Sequence, residues 1–274
     1  MSKNVQLIVI DPQNDFCDSG QGALFVPGAA EDMSRLAQLV TRLGDKLADI
    51  HVTLDSHHQI HVAHPIYWKD SSGNHPAPFT IITADEVRNG VWTTTRPGWL
   101  KNTRYGFGAL QYVESLEANG KYPLCIWPPH CLIGHWGHNV YQPLLDALDD
   151  WENECFGAVN YITKGSNYHI EHYSAIRADV VDPTDHTTDI NKPFLQTVFE
   201  ADEILIAGEA GSHCVASTVR DADAFFGEDS FVKKLVLLED ATSPVPRFEQ
   251  LQEEFVSEMT AKGMRVSTTA EYGI

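Results

Sequence analysis

The 274-residue chain is 43% hydrophobic and carries a formal net charge of −19. That apolar content is enough for a sizeable buried core, and no run of about 18 apolar residues suggests a membrane span. The acidic balance excludes nucleic acid as a partner, because phosphate recognition needs a basic face.

Short apolar runs alternate with helical patterns along the chain. The opening, MSKNVQLIVIDPQNDF, lacks a charged leader region and a small-residue cleavage site, so VQLIVI (5–10) is expected as a first buried strand. Met33, Leu36, Leu39, Val40 and Leu43 then recur at helical spacing. IHVTL (50–54) follows as a second strand. From about 65 to 124 the rhythm breaks into stretches rich in Gly, Pro and aromatics, such as KDSSGNHPAPF and TTTRPGWLKNT. This is expected to be a long insertion, functional or a small subdomain, within a single domain spanning 1–274. VNYIT (159–163) is a third strand. Ile190, Phe194, Leu195, Val198 and Phe199 share one helical face, with Thr188 or Asp189 as the cap. EILIA is a fourth strand, HCVASTVRDADAFF a helix, KLVLL a fifth strand, RFEQLQEEFVSEM a helix and MRVST a last short strand. The alternation predicts an α/β fold of three layers, α/β/α, around a doubly wound, mainly parallel sheet. Ligands of such folds bind beyond the carboxyl ends of the strands. Five cysteines, Cys17, Cys125, Cys131, Cys155 and Cys214, lack disulfide-like spacing and point to a reduced, cytoplasmic setting.

Four strand ends carry chemistry. The first ends in DPQNDF with Asp11, the second in DSHHQIHVAHP with Asp55, His57, His58, His61 and His64, the third in TKG with Lys164, and the fourth in a turn leading to Cys214. Singly, each has an ordinary explanation as a cap, a solvated cation or a small core residue. Together, a carboxylate, an ammonium and a thiol make an acyl-transfer set. A thiol at a helix start is expected to have a lowered pKa, the ammonium stabilises the thiolate, and the carboxylate moves the proton. Backbone N–H groups in the turn before Cys214 could hold an oxyanion, and Gly208 and Gly211 would let that turn adopt unusual dihedrals. Asp55-x-His57 places two ligands at one strand end, and WPPHC offers His130 on a stiff segment beside Trp127. One Asp and two His make an open site for one divalent transition metal, Zn²⁺ first, with Fe²⁺ or Mn²⁺ also suited. His61 and His64 are rival or supplementary ligands. His58, His135 and His138 are expected as surface residues.

The set of motifs resembles the cysteine hydrolase superfamily of isochorismatases and nicotinamidases. DPQNDF resembles its opening D-x-Q-x-D-F, TKG its lysine segment, YSAI nine residues later its Y-S-A-F, and GEAGSHCVAST its nucleophile segment. The D-x-H and W-P-x-H-C elements resemble the nicotinamidase/pyrazinamidase branch. The resemblance implies an isochorismatase-like hydrolase fold, a catalytic triad of Asp11, Lys164 and Cys214, and oxyanion N–H groups from Ala210 and Cys214. It further implies a cis Glu209–Ala210 peptide, a metal held by Asp55, His57 and His130, and a substrate ring flanked by Phe16 and Trp127. The implied reaction is hydrolysis of nicotinamide to nicotinate and ammonia through a thioester, as part of NAD salvage. The partner is a small-molecule amide, with neither nucleic acid nor membrane, and a homo-oligomer is compatible with the sequence.

Departures from the family pattern bear on which amide is accepted. LIGHWG, with His135, stands where the family has V-Q-G-T, and EAGSHC, with Glu209 and His213, stands where it has a hydrophobic residue and then A-T-D-Y-C. These residues and the insertion are expected to reshape the pocket. A related amidase acting on another amide is the nearest alternative. An isochorismatase is disfavoured by the metal set, and an idle scaffold by the intact triad.

Overall fold

The computed structural model describes residues 3–101, 108–227 and 229–273. Ten strands occur in them: β1 (Val5–Ile10), β2 (Leu47–Asp55), β3 (Trp68–Lys69), β4 (Ile81–Ile82), β5 (Thr93–Thr94), β6 (Leu124–Cys125), β7 (Asn160–Lys164), β8 (Glu203–Gly208), β9 (Leu235–Leu238) and β10 (Arg265–Ser267). Six of these form one sheet in the order β10-β9-β8-β1-β2-β7, and every pairing in it is parallel. The chain winds outward from β1 in both directions, so the switch point falls between β1 and β8.

Side chains alternate across a strand, and β1 shows the result. Val5, Leu7 and Val9 join one apolar core, and Ile8 and Ile10 the other. The first core packs the helix Ala29–Leu43 through Met33, Leu36, Leu39, Val40 and Leu43, together with the helix Gln142–Cys155. The second packs the helices Lys192–Phe199, Ala216–Phe226 and Glu249–Ala261 through residues such as Phe194, Val219 and Phe255. The result is the expected three-layer α/β/α arrangement. No helix among the described residues is long and apolar enough to cross a membrane.

Within 65–124, β3 pairs with β5 and β4 with β6, both antiparallel. Tyr67, Trp68, Ile82 and Tyr112 from this stretch are buried in the first core. Residues 102–107 of the expected insertion lie outside the described residues. Two local expectations are corrected. The helix at 192 is capped by neither Thr188 nor Asp189. Asn191 does it, its side-chain oxygen accepting the Phe194 N–H at 3.2 Å, with Pro193 in the first turn. The run before Ala216 is a π turn, Gly211–Val215, and the α-helix begins only after it.

Candidate active site

The sheet brings the four chemical strand ends together, because β8, β1, β2 and β7 are consecutive neighbours. Asp55 and Lys164 are register partners at the ends of β2 and β7, and Ile10 is paired with Gly208. Lys164 is the hub. Its Nζ lies 2.8 Å from Asp11 Oδ2 and 3.2 Å from Asp55 Oδ1, donates to the His172 carbonyl at 3.2 Å, and reaches Cys214 Sγ at 3.6 Å. Asp11 Oδ1 also accepts the Thr53 hydroxyl at 2.6 Å. Residues between these groups act as braces. Gln13 brackets Asp55, donating to its carbonyl at 2.8 Å and accepting its N–H at 2.7 Å. Asp15 accepts the Cys131 N–H at 2.6 Å and so fixes the segment after His130.

The turn before Cys214 has the expected cis Glu209–Ala210 peptide. Its glycines serve different ends. Gly208 has φ +112°, and a Cβ there would run into the backbone of Ile10. Gly211 has an ordinary φ, and its missing side chain admits the Gln252 amide.

Electrostatics correct one expectation. Burial pushes the Cys214 thiol well above the ordinary cysteine value; Lys164 pulls it down, but Asp11 and Asp55 push it further up. A helix start and one ammonium do not overcome burial beside two carboxylates. The resting thiol is thus held toward its protonated form. Burial raises the neighbouring Asp11 carboxyl above the ordinary aspartate value, against the pull of Lys164. Burial also disfavours the Lys164 ammonium, yet Asp11 and Asp55 outweigh it and keep the lysine charged. Lys164→Met should therefore slow iodoacetamide alkylation of Cys214 at neutral pH, since it removes the one group that draws the thiol toward ionisation. Equal rates in the two proteins would take Lys164 out of the thiol chemistry.

Asp55, His57 and His130 have ligand atoms within 4.8 Å of one another, and all three are buried. Their hydrogen bonds test whether a cation fits. His57 Nδ1 lies 3.2 Å from the Gly165 carbonyl and His130 Nδ1 2.8 Å from the Pro128 carbonyl. Each Nδ1–H is thus committed to a carbonyl, which leaves each Nε2 lone pair free. Those Nε2 atoms face Asp55 Oδ2 at 2.9 and 3.4 Å, and His57 Nε2 has no hydrogen-bond partner. Three acceptors converging on one point suit a divalent cation. A second group, His57, His61 and Glu171, is also close enough. His61 fits poorly there, because Nδ1 accepts the Ala63 N–H at 3.2 Å and Nε2 lies 3.1 Å from the Ile170 carbonyl. His64 keeps a buried Nε2 without a hydrogen-bond partner, with its ring 5.5 Å from His57 and 5.8 Å from His130.

Both sets border one cavity, lined by Phe16, Leu24, Asp55, Trp127, His130, Glu171, Tyr173, Ala210, His213, Cys214 and Val245. Six of the site residues singled out from the sequence line it, Phe16, Asp55, Trp127, His130, Ala210 and Cys214, while Lys164 reaches Asp55 and Cys214, Asp11 reaches Lys164, and His57 reaches Asp55. Glu171 and Tyr173 were missed. Tyr173 lay in the YSAI motif and accepts the Trp127 Nε1–H at 2.9 Å; Glu171 carried no signal beyond its place seven residues after Lys164. Among the departures, only His213 lines the cavity. Ser212 Oγ accepts the Val245 N–H at 3.0 Å and shares a second hydrogen bond with His213 Nδ1, 2.8 Å away. Burial pulls His213 down to about 4, so it faces the cavity as a neutral ring. His58 and His135 are exposed, as expected, whereas His138 is half-buried with Nε2 2.8 Å from Ser56 Oγ. The described residues of 65–124 line a neighbouring cavity through Ile81, Tyr122 and Pro123, not this one.

No protein-family model matches the chain, and no curated protein sequence matches it. Solved structures do. The chain is similar to the yeast nicotinamidase Pnc1p bound to the inhibitor nicotinaldehyde, at 21% identity and a TM-score of 0.67, over 96% of this chain and 99% of that one. It is similar to an Acinetobacter baumanii nicotinamidase/pyrazinamidase at 21% identity and a TM-score of 0.63, over 98% of both chains. It is also similar to the Pyrococcus horikoshii pyrazinamidase in complex with zinc, at 18% identity and a TM-score of 0.53, over 97% and 99%. The chain therefore has the fold of the nicotinamidase and pyrazinamidase structures.

Proposed function

We propose that this chain is a cysteine amidohydrolase that converts nicotinamide and water to nicotinate and ammonia. The observation that carries the proposal is a thiol, a buried carboxylate–ammonium pair and a three-acceptor cation set around one small cavity with aromatic walls. Asp11 takes the Cys214 proton as sulfur attacks the carboxamide carbon. The carbonyl electron pair moves onto oxygen, which the N–H groups of Ala210 and Cys214 are proposed to hold. Asp11 then gives its proton to the amide nitrogen, the C–N bond breaks, and ammonia leaves a thioester. Water loses a proton to Asp11 and attacks that thioester, the C–S bond breaks, and the proton returns to sulfur as the acid departs. Lys164 stays charged throughout and holds Asp11 in place. Phe16 and Trp127 flank the substrate ring. A divalent cation on Asp55, His57 and His130 would supply a Lewis acid for the ring nitrogen. Zn²⁺ is the first choice, supported by the pyrazinamidase of this fold in complex with zinc; Fe²⁺ and Mn²⁺ suit the same donors. The proposal also takes 1–274 as one hydrolase domain with 65–124 as its insertion, acting in NAD salvage in the cytoplasm.

Ammonia release from nicotinamide, benzamide and acyclic amides under one set of conditions tests the substrate. Nicotinamide should be hydrolysed fastest and benzamide far more slowly, since it has the ring without the nitrogen. An acyclic amide as the best substrate would leave the amidase chemistry and remove the nicotinamide assignment. Metal analysis supplies a separate check. Protein purified without chelator should hold about one equivalent of divalent metal, the capacity of a mononuclear site. His57→Ala should lose it while keeping its far-ultraviolet circular dichroism. Full activity in metal-free protein would refute the metal's part.

A further inference from the structure

Glu209 stands where the resemblance leads one to expect a hydrophobic residue, and the proposed chemistry leaves it unused. Its side chain is 0% exposed, immediately before Ala210 in the cavity wall. Oε2 accepts the Ser243 N–H at 3.2 Å. Oε1 receives no hydrogen bond from any described residue. Beside Glu209 lies another buried carboxyl, Asp32, in the first turn of the helix Ala29–Leu43; Ser243 bonds both. Asp32 is supplied with donors on both oxygens: the Ser243 hydroxyl at 2.5 Å on Oδ2, and Arg35 Nη2 at 2.5 Å on Oδ1. Asp32 is therefore suited to be the ionised member. Glu209, with an oxygen that lacks a donor, is suited to carry a proton and donate it.

The surroundings agree. Arg35 is the cation that faces the cluster, and it pairs with Asp32 and Asp240. From the short helix Asn14–Cys17 comes the Cys17 thiol, which burial, then Glu209, Asp32 and Asp18, hold in its protonated form. Two adjacent buried carboxyls served by one cation do not both ionise readily. Burial, and next the charge of Asp32, push the Glu209 carboxyl well above the ordinary glutamate value. Ser243 ties the parts together. Its N–H goes to Glu209, its hydroxyl to Asp32, and its carbonyl accepts the Gly211 N–H at 2.9 Å.

We infer that Asp32 and Glu209 share one proton, and that this carboxyl–carboxylate hydrogen bond, braced by Ser243, positions the Ala210–Cys214 turn for amide hydrolysis. The positioning role rests on the proposed function; the shared proton does not. Glu209 touches no reacting atom and acts through the backbone it carries.

Three measurements test it. Difference infrared spectroscopy at pH 7 should show a protonated-carboxyl band in the wild type that is missing in Glu209→Gln. A featureless difference in that region would overturn the shared proton. Thermal midpoints should diverge with pH in a fixed direction. Glu209 keeps its proton in the fold, while the unfolded chain releases it near an ordinary value of about 4.3. Wild-type stability should therefore fall relative to Glu209→Gln as pH rises from there toward the raised native value. Parallel curves would count against the proton as strongly as a missing band. For the positioning role, Glu209→Ala should lower kcat about tenfold with KM little changed, the worth of one hydrogen bond to a charged partner. Glu209→Gln, which can still donate to Asp32, should recover most of that loss. Equal losses in both variants would overturn positioning through this bond. The infrared and melting experiments need no substrate, so a wrong substrate assignment and a wrong proton assignment give different results.

Discussion

Cys214→Ala is expected to lower turnover by roughly 10⁴-fold or more, as removal of a covalent nucleophile does, while leaving the fold and metal content unchanged. The side chain is 6% exposed, and its sulfur borders the cavity 3.6 Å from Lys164 Nζ. Alanine removes only the sulfur, and alanine is well tolerated in helical backbone. The ring hydrogen bonds of His57 and His130 run to the Gly165 and Pro128 carbonyls, which the variant leaves in place. The competing explanation is a small buried residue that fills space. That role predicts near-normal turnover with a lowered melting temperature. Ammonia release, circular dichroism and metal analysis on one preparation separate the two, and wild-type-like turnover in the variant ends the nucleophile assignment.

Asp11→Asn is expected to lower kcat by about 10²–10⁴-fold, the usual worth of a positioned general acid–base group, and at the same time to speed alkylation of Cys214 at neutral pH. The opposite signs follow from the charges. In the proposed mechanism Asp11 is the proton acceptor during attack, so the amide in its place should stall the reaction. At rest its negative charge and hydrogen bond hold the proton on the thiol, while Lys164 pulls the other way. Removing the carboxylate and keeping the ammonium lets the thiol ionise more easily. Asparagine can still accept from the Thr53 hydroxyl, so the geometry at the end of β1 should persist. Slower alkylation would mean that Asp11 activates the thiol before substrate arrives, and the assigned division of labour would be wrong.

Much of this was readable from the chain because it rests on periodicity and spacing. β1, β2, β7, β8 and β9 lie where short apolar runs placed them, and the four chemical strand ends meet because parallel strands deliver their carboxyl ends to one edge. What was not readable depends on neighbours far off in sequence. The thiol's ionisation is not legible in the chain because a helix start is a local feature, whereas burial and Asp55 are tertiary ones. Glu171 enters the cavity only through the fold. The helix Gln142–Cys155 has no counterpart among the elements read from the sequence, although Leu144, Leu148 and Trp151 have helical spacing. The separation of His64 from His61 needed hydrogen-bond partners such as the Ile170 carbonyl, 109 residues away.

Lys164 closes β7, which among the described residues pairs only with β2 at the border of the sheet. Of the five residues in β7, only Lys164 is buried. The hub of the ion network is thus carried by a border strand, while Asp11 and the Cys214 turn hang from strands enclosed on both sides. Local opening costs least where backbone is exposed and few apolar contacts must be broken. Backbone amides of 160–163 should exchange with deuterium well before those of β1 and β8. The lysine end should slow once a ligand fills the cavity, which makes this border strand a reporter of occupancy that needs no catalytic assay.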